Sequence, residues 1–192
     1  MRIITVHAGV TGDAAERLAA VPKETRKGLK DVLNEMAKDS KEELYQEVKR
    51  QYTLKRGRFQ KGDIRVKKAT QSRLEAVLMI EGGPESIKES YRFKMNSIRK
   101  GVRVEIKRGS GFKELKKREG DLKAFVTGVT TGHRDKLHVD VFQREGKSRL
   151  PIKKISGPGS AKISEVLWRK AELRKEQELK RRIRMMAERI LP

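Results

Sequence analysis

Histidine is a common metal ligand and general base, and the chain contains three: His7, His133 and His138. His133 and His138 are five positions apart, which places them on neither one helical face nor one face of a strand. No carboxylate-rich cluster accompanies them. We therefore interpret all three as surface or turn histidines and expect no metal site.

Serine, glycine and acidic residues give no stronger candidate for catalysis. No serine lies in a nucleophile elbow, and no spacing proposes a Ser-His-Asp set. The glycine-rich stretches 109–111 and 157–160 lack the Lys-Ser/Thr ending of a phosphate-binding loop, so we predict turns at both. The chain has no cysteine, which excludes disulfides and cysteine-ligated zinc. The sequence therefore predicts a protein that is not an enzyme and needs no cofactor.

Positive charge is the chemical signal that remains. The 192 residues include 48 Lys and Arg and 26 Asp and Glu, so the net charge is +22. The excess is concentrated in residues 55–73, in residues 92–118 and near the C-terminus, and residues 55–73 alone have a net charge of 8 − 1 = +7. Such a surplus predicts attraction to nucleic acid or to acidic proteins, and it does not choose between them. We expect the contacts to be made by Lys55, Arg56, Arg58, Lys61, Lys67 and Lys68.

Other features of the sequence limit how the chain could bind nucleic acid. Aromatic residues make up 5 %, which argues against recognition of single strands by base stacking. No helix-turn-helix, zinc-finger or RNA-recognition signature is present, so contact with phosphates without sequence reading is expected. Residues 1–10 do not resemble a signal peptide, and no apolar stretch approaches a transmembrane length, so we expect no membrane partner.

Hydrophobic periodicity places a long helix towards each end of the chain. Apolar residues recur at three and four positions over residues 23–52 and again over residues 161–191. Asp13 is a candidate cap for a short helix over residues 13–20. Strands are predicted at residues 1–7, 63–70, 73–81, 101–108, 124–129, 137–144 and 149–155. The pattern of residues 85–97 fits a helix and a strand equally well.

This order of elements indicates an α+β fold, with a long N-terminal helix and a C-terminal helix packed on a mainly antiparallel sheet. We predict that residues 1–160 form one α+β domain. Residues 161–192 form a helix that packs on this domain or on a neighbouring subunit.

One segment, residues 139–160, resembles a known family. Its strand, Arg-x-Gly-Lys-x-Arg turn, Leu-Pro-Ile and Gly-Pro break are similar to the C-terminal hairpin of the minor tail protein Z family and related tail-completion proteins of long-tailed phages. The resemblance falls on Phe142, Arg144, Gly146, Lys147, Arg149, Leu150, Pro151, Ile152, Gly157 and Pro158. A weaker similarity covers the helix ending at residues 52–55 and the strand near Leu74, whereas residues 85–96 depart from the family pattern.

The resemblance implies a structural virion protein that completes the head-proximal end of the tail and joins it to the head connector. It implies a ring of identical subunits, commonly a hexamer, around the channel through which phage DNA passes. The implied partners are other copies of the chain, a tail terminator or tail tube protein, portal-proximal connector proteins and DNA bound without sequence specificity. The implied location is the tail or neck of the virion, and the host cytoplasm during assembly.

The hairpin has a physical interpretation of its own. Gly146 permits a tight turn with positive φ, and Pro151 cannot donate to a sheet ladder, so its strand should be an edge. An edge with a basic tip suits docking to a neighbouring subunit, although its charges would equally protect an exposed hairpin from aggregation. The predicted interface consists of Phe142, Arg144, Lys147, Arg149, Pro151 and Ile152.

A second function fits the composition without the family resemblance. The chain could be a free nucleic-acid-binding protein of the ribosome-associated or nucleoid kind. Such a protein would bind DNA or RNA as a monomer, and its affinity would fall steeply with salt.

Overall fold

The computed structural model describes residues 2–9, 22–95, 101–115, 122–130 and 137–190, and for residues 2–9 it describes the backbone alone. Long helices are combined with antiparallel sheets, which confirms the α+β class. The short helix predicted over residues 13–20 lies outside the described residues. Within the described part of the chain, no helix is long and apolar enough to cross a membrane.

Both long helices are confirmed: α1 (Lys23–Gln51) and α3 (Ser160–Ile190), with the short α2 (Ile87–Ser90) between them. The strands are β1 (Arg2–Gly9), β2 (Ile64–Lys67), β3 (Glu75–Gly82), β4 (Glu85–Ser86), β5 (Arg92–Met95), β6 (Val102–Glu105), β7 (Lys113–Glu114), β8 (Phe125–Thr130), β9 (Leu137–Arg144), β10 (Ile152–Lys154) and β11 (Ser156–Gly157). A 3₁₀ turn, Lys61–Asp63, precedes β2.

The chain forms two compact units, and their division differs from the predicted segments 1–160 and 161–192. The first unit consists of Met1–Val48, Gln60–Gly82 and Ser160–Pro192. The second unit consists of Lys49–Phe59 and Gly83–Gly159. The C-terminal helix is therefore part of a unit that also contains the N-terminal strand.

The sheet of the first unit has the order β1-β3-β2, and all its neighbours are antiparallel. β1 pairs with β3 along its full length, which carries it to Gly9 rather than to the predicted end at residue 7. Ala76, Leu78 and Ile80 of β3 are buried, as their alternation predicts. Val77 is also buried, so both faces of this central strand are covered at that point.

α1 and α3 pack within the first unit. The buried apolar residues of α1 follow the helical repeat and form one stripe: Leu29, Leu33, Met36, Ala37, Leu44 and Val48. Leu33 and Ala37 form a core cluster with Ala76, and Leu179 of α3 packs against it. Asn34 of α1 donates to the carbonyl of Ala69 at 3.1 Å and accepts the Ala69 N–H at 2.8 Å, which fixes the connection after β2.

The second unit contains two three-stranded antiparallel sheets, β10-β9-β8 and β5-β6-β7, and the ribbon β11-β4. The predicted strand 101–108 is shorter in the structure because the chain changes partners after Glu105. Thr53 N–H donates to the carbonyl of Ile106 at 3.0 Å, and Arg108 N–H donates to the carbonyl of Gln51 at 2.9 Å. These bonds join the two segments of the second unit, residues 49–59 and residues 83–159.

The ambiguous residues 85–95 form three short elements in succession, β4, α2 and β5, while residues 96 and 97 lie outside the described part. Ser86 caps the short helix by accepting the Glu89 N–H at 3.3 Å. Tyr91, fully buried, ends it, and its hydroxyl donates to the carbonyl of Pro158. Of the predicted turn at residues 157–160, Gly157 belongs to β11 and Ser160 already begins α3.

Candidate nucleic-acid and subunit interfaces

The predicted basic contact residues are divided between the two units. Lys55, Arg56 and Arg58 belong to the second unit, in the connection after α1. Lys61, Lys67 and Lys68 belong to the first unit, in the 3₁₀ turn and in and after the edge strand β2. All six are exposed. The segment is continuous in sequence, but it does not belong to one compact unit.

Several of these cations already have partners inside their own unit. Lys55 Nζ donates to the carbonyl of Lys88 at 2.6 Å, and Arg58 pairs with Glu89 at 2.9 Å. Lys61 pairs with Glu42 and lowers the pKa of that carboxyl. Lys55, Arg56, Lys67 and Lys68 contact no carboxylate among the described residues, so these four retain the charge that a partner would need.

Most of the cations of α3 form ion pairs with carboxylates of the first unit. Arg182 contacts Asp39 of α1 at 2.7 Å and Glu178 at 2.5 Å, and Arg174 pairs with Glu43. Lys175 is only 6 % exposed and lies between Glu43 and Glu178. Burial opposes the charge of Arg182, but its hydrogen bonds to the two acids raise its pKa. This stretch of basic residues therefore joins two helices.

A crevice between α1 and α3 lies beside Lys175. Its volume is about 30 Å³, which admits water but is too small for an organic cofactor. Among the described residues, no group of three or more His, Asp or Glu side chains could hold a metal ion. His138 is described and exposed; the side chain of His7 and the whole of His133 are outside the description.

The positive charge is distributed unequally between the units. The second unit has 25 Lys and Arg and 9 Asp and Glu in its sequence, a net charge of 25 − 9 = +16. The first unit carries the remaining 22 − 16 = +6. A concentration of this size strengthens the local potential and its attraction for polyanions.

The hairpin segment places β10 at the edge of the sheet β10-β9-β8. Ile152 of β10 pairs with Arg144 of β9, and Glu145 N–H donates to the carbonyl of Pro151 at 3.1 Å to close the connecting loop, residues 145–151. Gly146 does not have a positive φ, so the predicted tight turn is wrong. The chain turns through a wider loop instead, which is exposed along its whole length.

The predicted interface residues differ in accessibility. Arg144, Lys147, Arg149 and Pro151 are exposed, and Ile152 is half-buried. Phe142 is buried at 7 % exposure and lies directly opposite Phe125 of β8. Its ring belongs to the core of its own unit, so a neighbour would meet the charged members of this set rather than Phe142.

A buried carboxylate lies at the base of this edge. Asp140 of β9 is 1 % exposed, and its Oδ1 accepts hydrogen bonds from Ser86 Oγ at 2.9 Å and Val141 N–H at 2.8 Å. Its Oδ2 lies 2.6 Å from Lys154 Nζ and 3.5 Å from His138 Nε2. Ser86 donates to the acid rather than to His138, so these residues do not have the order of a catalytic triad.

The sequence pointed to this cluster only weakly, because its members are far apart along the chain. Burial alone would raise the pKa of Asp140, but hydrogen bonds from Lys154, Val141 and Ser86 outweigh it and lower that pKa. The cluster therefore contains a charged acid that ties β9 to β10 and to β4.

No family model, curated protein or solved structure matches this chain. The resemblance of residues 139–160 to phage tail-completion proteins therefore stays a prediction.

Proposed function

We propose that this chain is a structural virion protein that completes the head-proximal end of a phage tail and joins it to the head connector. The observation that carries the proposal is the exposed basic loop 145–151 beside the edge strand β10, in the segment that resembles the family. The proposed assembly is a homo-oligomeric ring around DNA, with a tail terminator or tube protein and the connector as neighbours.

The edge strand supports a contact between subunits. β10 has one pairing partner among the described strands, β9, so its outer edge can meet another chain. Arg144, Lys147 and Arg149 surround this edge and suit an acidic surface on the next subunit. A contact between two different surfaces closes into a ring when the rotation between subunits permits.

The charge distribution supports the role of DNA in the assembly. The second unit carries +16 and contains the loop, so a ring built through the loop would bring several such units together. Their mutual repulsion would be offset by a polyanion in the channel. Phosphate contacts of this kind fit passage of any DNA sequence.

The test of the proposal is imaging of the purified full chain by electron microscopy, together with its mass in solution and immunogold labelling of virions. We expect rings, and label at the junction of head and tail. The triple variant Arg144→Ala/Lys147→Ala/Arg149→Ala should remain monomeric. The control Arg181→Ala/Arg184→Ala/Arg189→Ala removes three exposed cations from α3 and should form rings. A chain that is monomeric in solution and absent from virions would overturn the proposal.

The same charge concentration favours a second candidate, a free nucleic-acid-binding protein that is ribosome- or nucleoid-associated. This candidate predicts tight, salt-sensitive binding of DNA or RNA by a monomer. Binding by a monomer without ring formation would favour it over the virion protein.

A further inference from the structure

Two cations face each other directly in the sheet β5-β6-β7. In the antiparallel pair β5–β6, Lys94 is opposite Arg103, and both side chains are exposed. Side chains that are directly opposite have Cβ atoms about 5 Å apart, and like charges in such a pair destabilise the sheet. The pair therefore costs stability unless an anion lies between or above the two groups.

The nearby carboxylates do not provide that anion. Glu105 is buried, pairs with Arg92 at 3.2 Å and accepts the Gly109 N–H at 3.1 Å. Glu114 is opposite Arg103 on β7, but its carboxylate lies 3.6 Å from Lys123 Nζ. Among the described residues, no carboxylate forms an ion pair with Lys94 or with Arg103.

An aromatic ring gathers positive charge on the same surface. Lys94 Nζ lies 4.6 Å from the centre of the Phe112 ring, and Arg92 Cζ lies 5.8 Å from it. Cation–π attraction to one ring draws both groups together. Alternation along β5 places Arg92 and Lys94 on one face of the strand, the face on which Arg103 lies across the sheet.

We infer that the exposed face of β5 and β6 around Lys94 and Arg103 binds the phosphate backbone of double-stranded DNA. The inference rests on the proposed function for the presence of DNA beside the protein. Phosphates fit this surface because Lys94 and Arg103 lie side by side, are exposed and have no carboxylate partner among the described residues. The +16 charge of the surrounding unit adds a long-range attraction to the same ligand.

The experiment measures binding of the full chain to a short fluorescent DNA duplex of mixed sequence over a range of salt concentrations. The negative slope of log K against log salt should become shallower by about two in Lys94→Gln/Arg103→Gln, because two phosphate contacts are lost. The matched control Arg181→Gln/Arg184→Gln removes the same charge from the first unit and should keep the wild-type slope.

A second variant separates binding from folding. Lys94→Glu places a carboxylate opposite Arg103 on the edge strand β5, so it should melt at a higher temperature than Lys94→Gln while it binds the duplex more weakly. A variant that binds the duplex more weakly but melts at a higher temperature has not lost binding through misfolding. A loss of binding that follows a lowered melting temperature would overturn the inference.

Two further outcomes would also overturn it. One is an unchanged salt slope in the double variant. The other is labelled poly-L-glutamate binding as tightly as the duplex at equal charge, with the same dependence on Lys94 and Arg103, since an acidic protein would then be the ligand. The proposed function can be overturned independently of the inference. If rings and virion labelling are absent while the slope still falls by about two in the double variant, the face binds DNA but the chain is not the proposed virion protein. If rings form and the slope does not change, only the inference is lost.

Discussion

Asp140 and Lys154 form an ion pair of 2.6 Å at the edge of the second unit, in which the acid is 1 % exposed and the lysine side chain 39 %. The pair joins β9 to the edge strand β10, and Ser86 extends the connection to β4. A buried charge therefore holds β10, the strand proposed to contact a neighbouring subunit, against β9.

The Asp140–Lys154 pair should contribute measurably to stability. Lys154→Met leaves the buried carboxylate without its cation, and we expect the free energy of unfolding to fall by about 2 kcal/mol. This is less than for a fully buried pair because solvent screens the exposed part of the lysine. The measurement is urea denaturation at neutral pH.

Lys153→Met is the matched control for this pair. Lys153 is an exposed neighbour in β10, and its replacement should change the free energy of unfolding by less than about 0.5 kcal/mol. Equal effects of the two changes would contradict a specific role for Lys154.

The stabilisation by Asp140 should depend on pH in a defined direction. Its pKa is lower in the folded protein than the value of about 4 expected in the unfolded chain. The contribution is therefore fully present above about pH 5, and it is lost as the pH falls through the folded pKa.

Urea denaturation at several pH values should show this loss in the wild type. Glu42 and Glu178 also have lowered pKa values, so the loss belonging to Asp140 is the difference between the wild type and Asp140→Asn. A difference that stays constant between neutral and strongly acidic pH would contradict the assignment.

Local patterns predict the elements whose structure depends on local forces. The stripe of α1 is visible in the sequence because one helical period places Leu29, Leu33 and Met36 on a single face. Residues 85–95 could not be predicted in this way, because distant partners decide their structure. The carbonyl of Ser90 accepts the Lys55 N–H at 2.9 Å, across a long separation in sequence.

The candidate sites show the same limit. Exposure of Arg144 and Lys147 follows from residue type, whereas the burial of Phe142 depends on what the rest of its unit packs against the sheet β10-β9-β8. A lysine such as Lys175 is normally predicted to be exposed, and its burial is explained by the two carboxylates that contact it, Glu43 of α1 and Glu178 of α3. The pairing of Lys94 with Arg103 needs the register of two strands, which alternation alone does not give.

The buried Lys175 lies in a redundant network. Its Nζ lies 2.7 Å from Glu43 and 3.0 Å from Glu178, but these acids also contact Arg174 and Arg182. Lys175→Met should therefore change the free energy of unfolding by less than about 1 kcal/mol, because both carboxylates keep a cation and the apolar side chain can fill the site.

Charge reversal at the same position should behave differently. Lys175→Glu would bury a third carboxylate beside Glu43 and Glu178, and we expect a loss above about 3 kcal/mol. Thermal and urea denaturation of the two variants compare these effects. A large loss in Lys175→Met would mean that Arg174 and Arg182 do not compensate for the lysine.

Gly157 of β11 lies against the ring of Tyr91, which is fully buried. A Cβ at this position would be 2.5 Å from Tyr91 Cε2 and 3.0 Å from Cδ2, well inside van der Waals contact. Tyr91 is fully buried and its hydroxyl donates to the carbonyl of Pro158, so its ring is held in place, and Gly157→Ala should lower the free energy of unfolding by about 2 kcal/mol through overpacking. Gly146→Ala is the control, because a Cβ there meets nothing within 4 Å and should have little effect. If urea denaturation gives the two variants equal stability, the contact between β11 and Tyr91 must be looser than the structure describes.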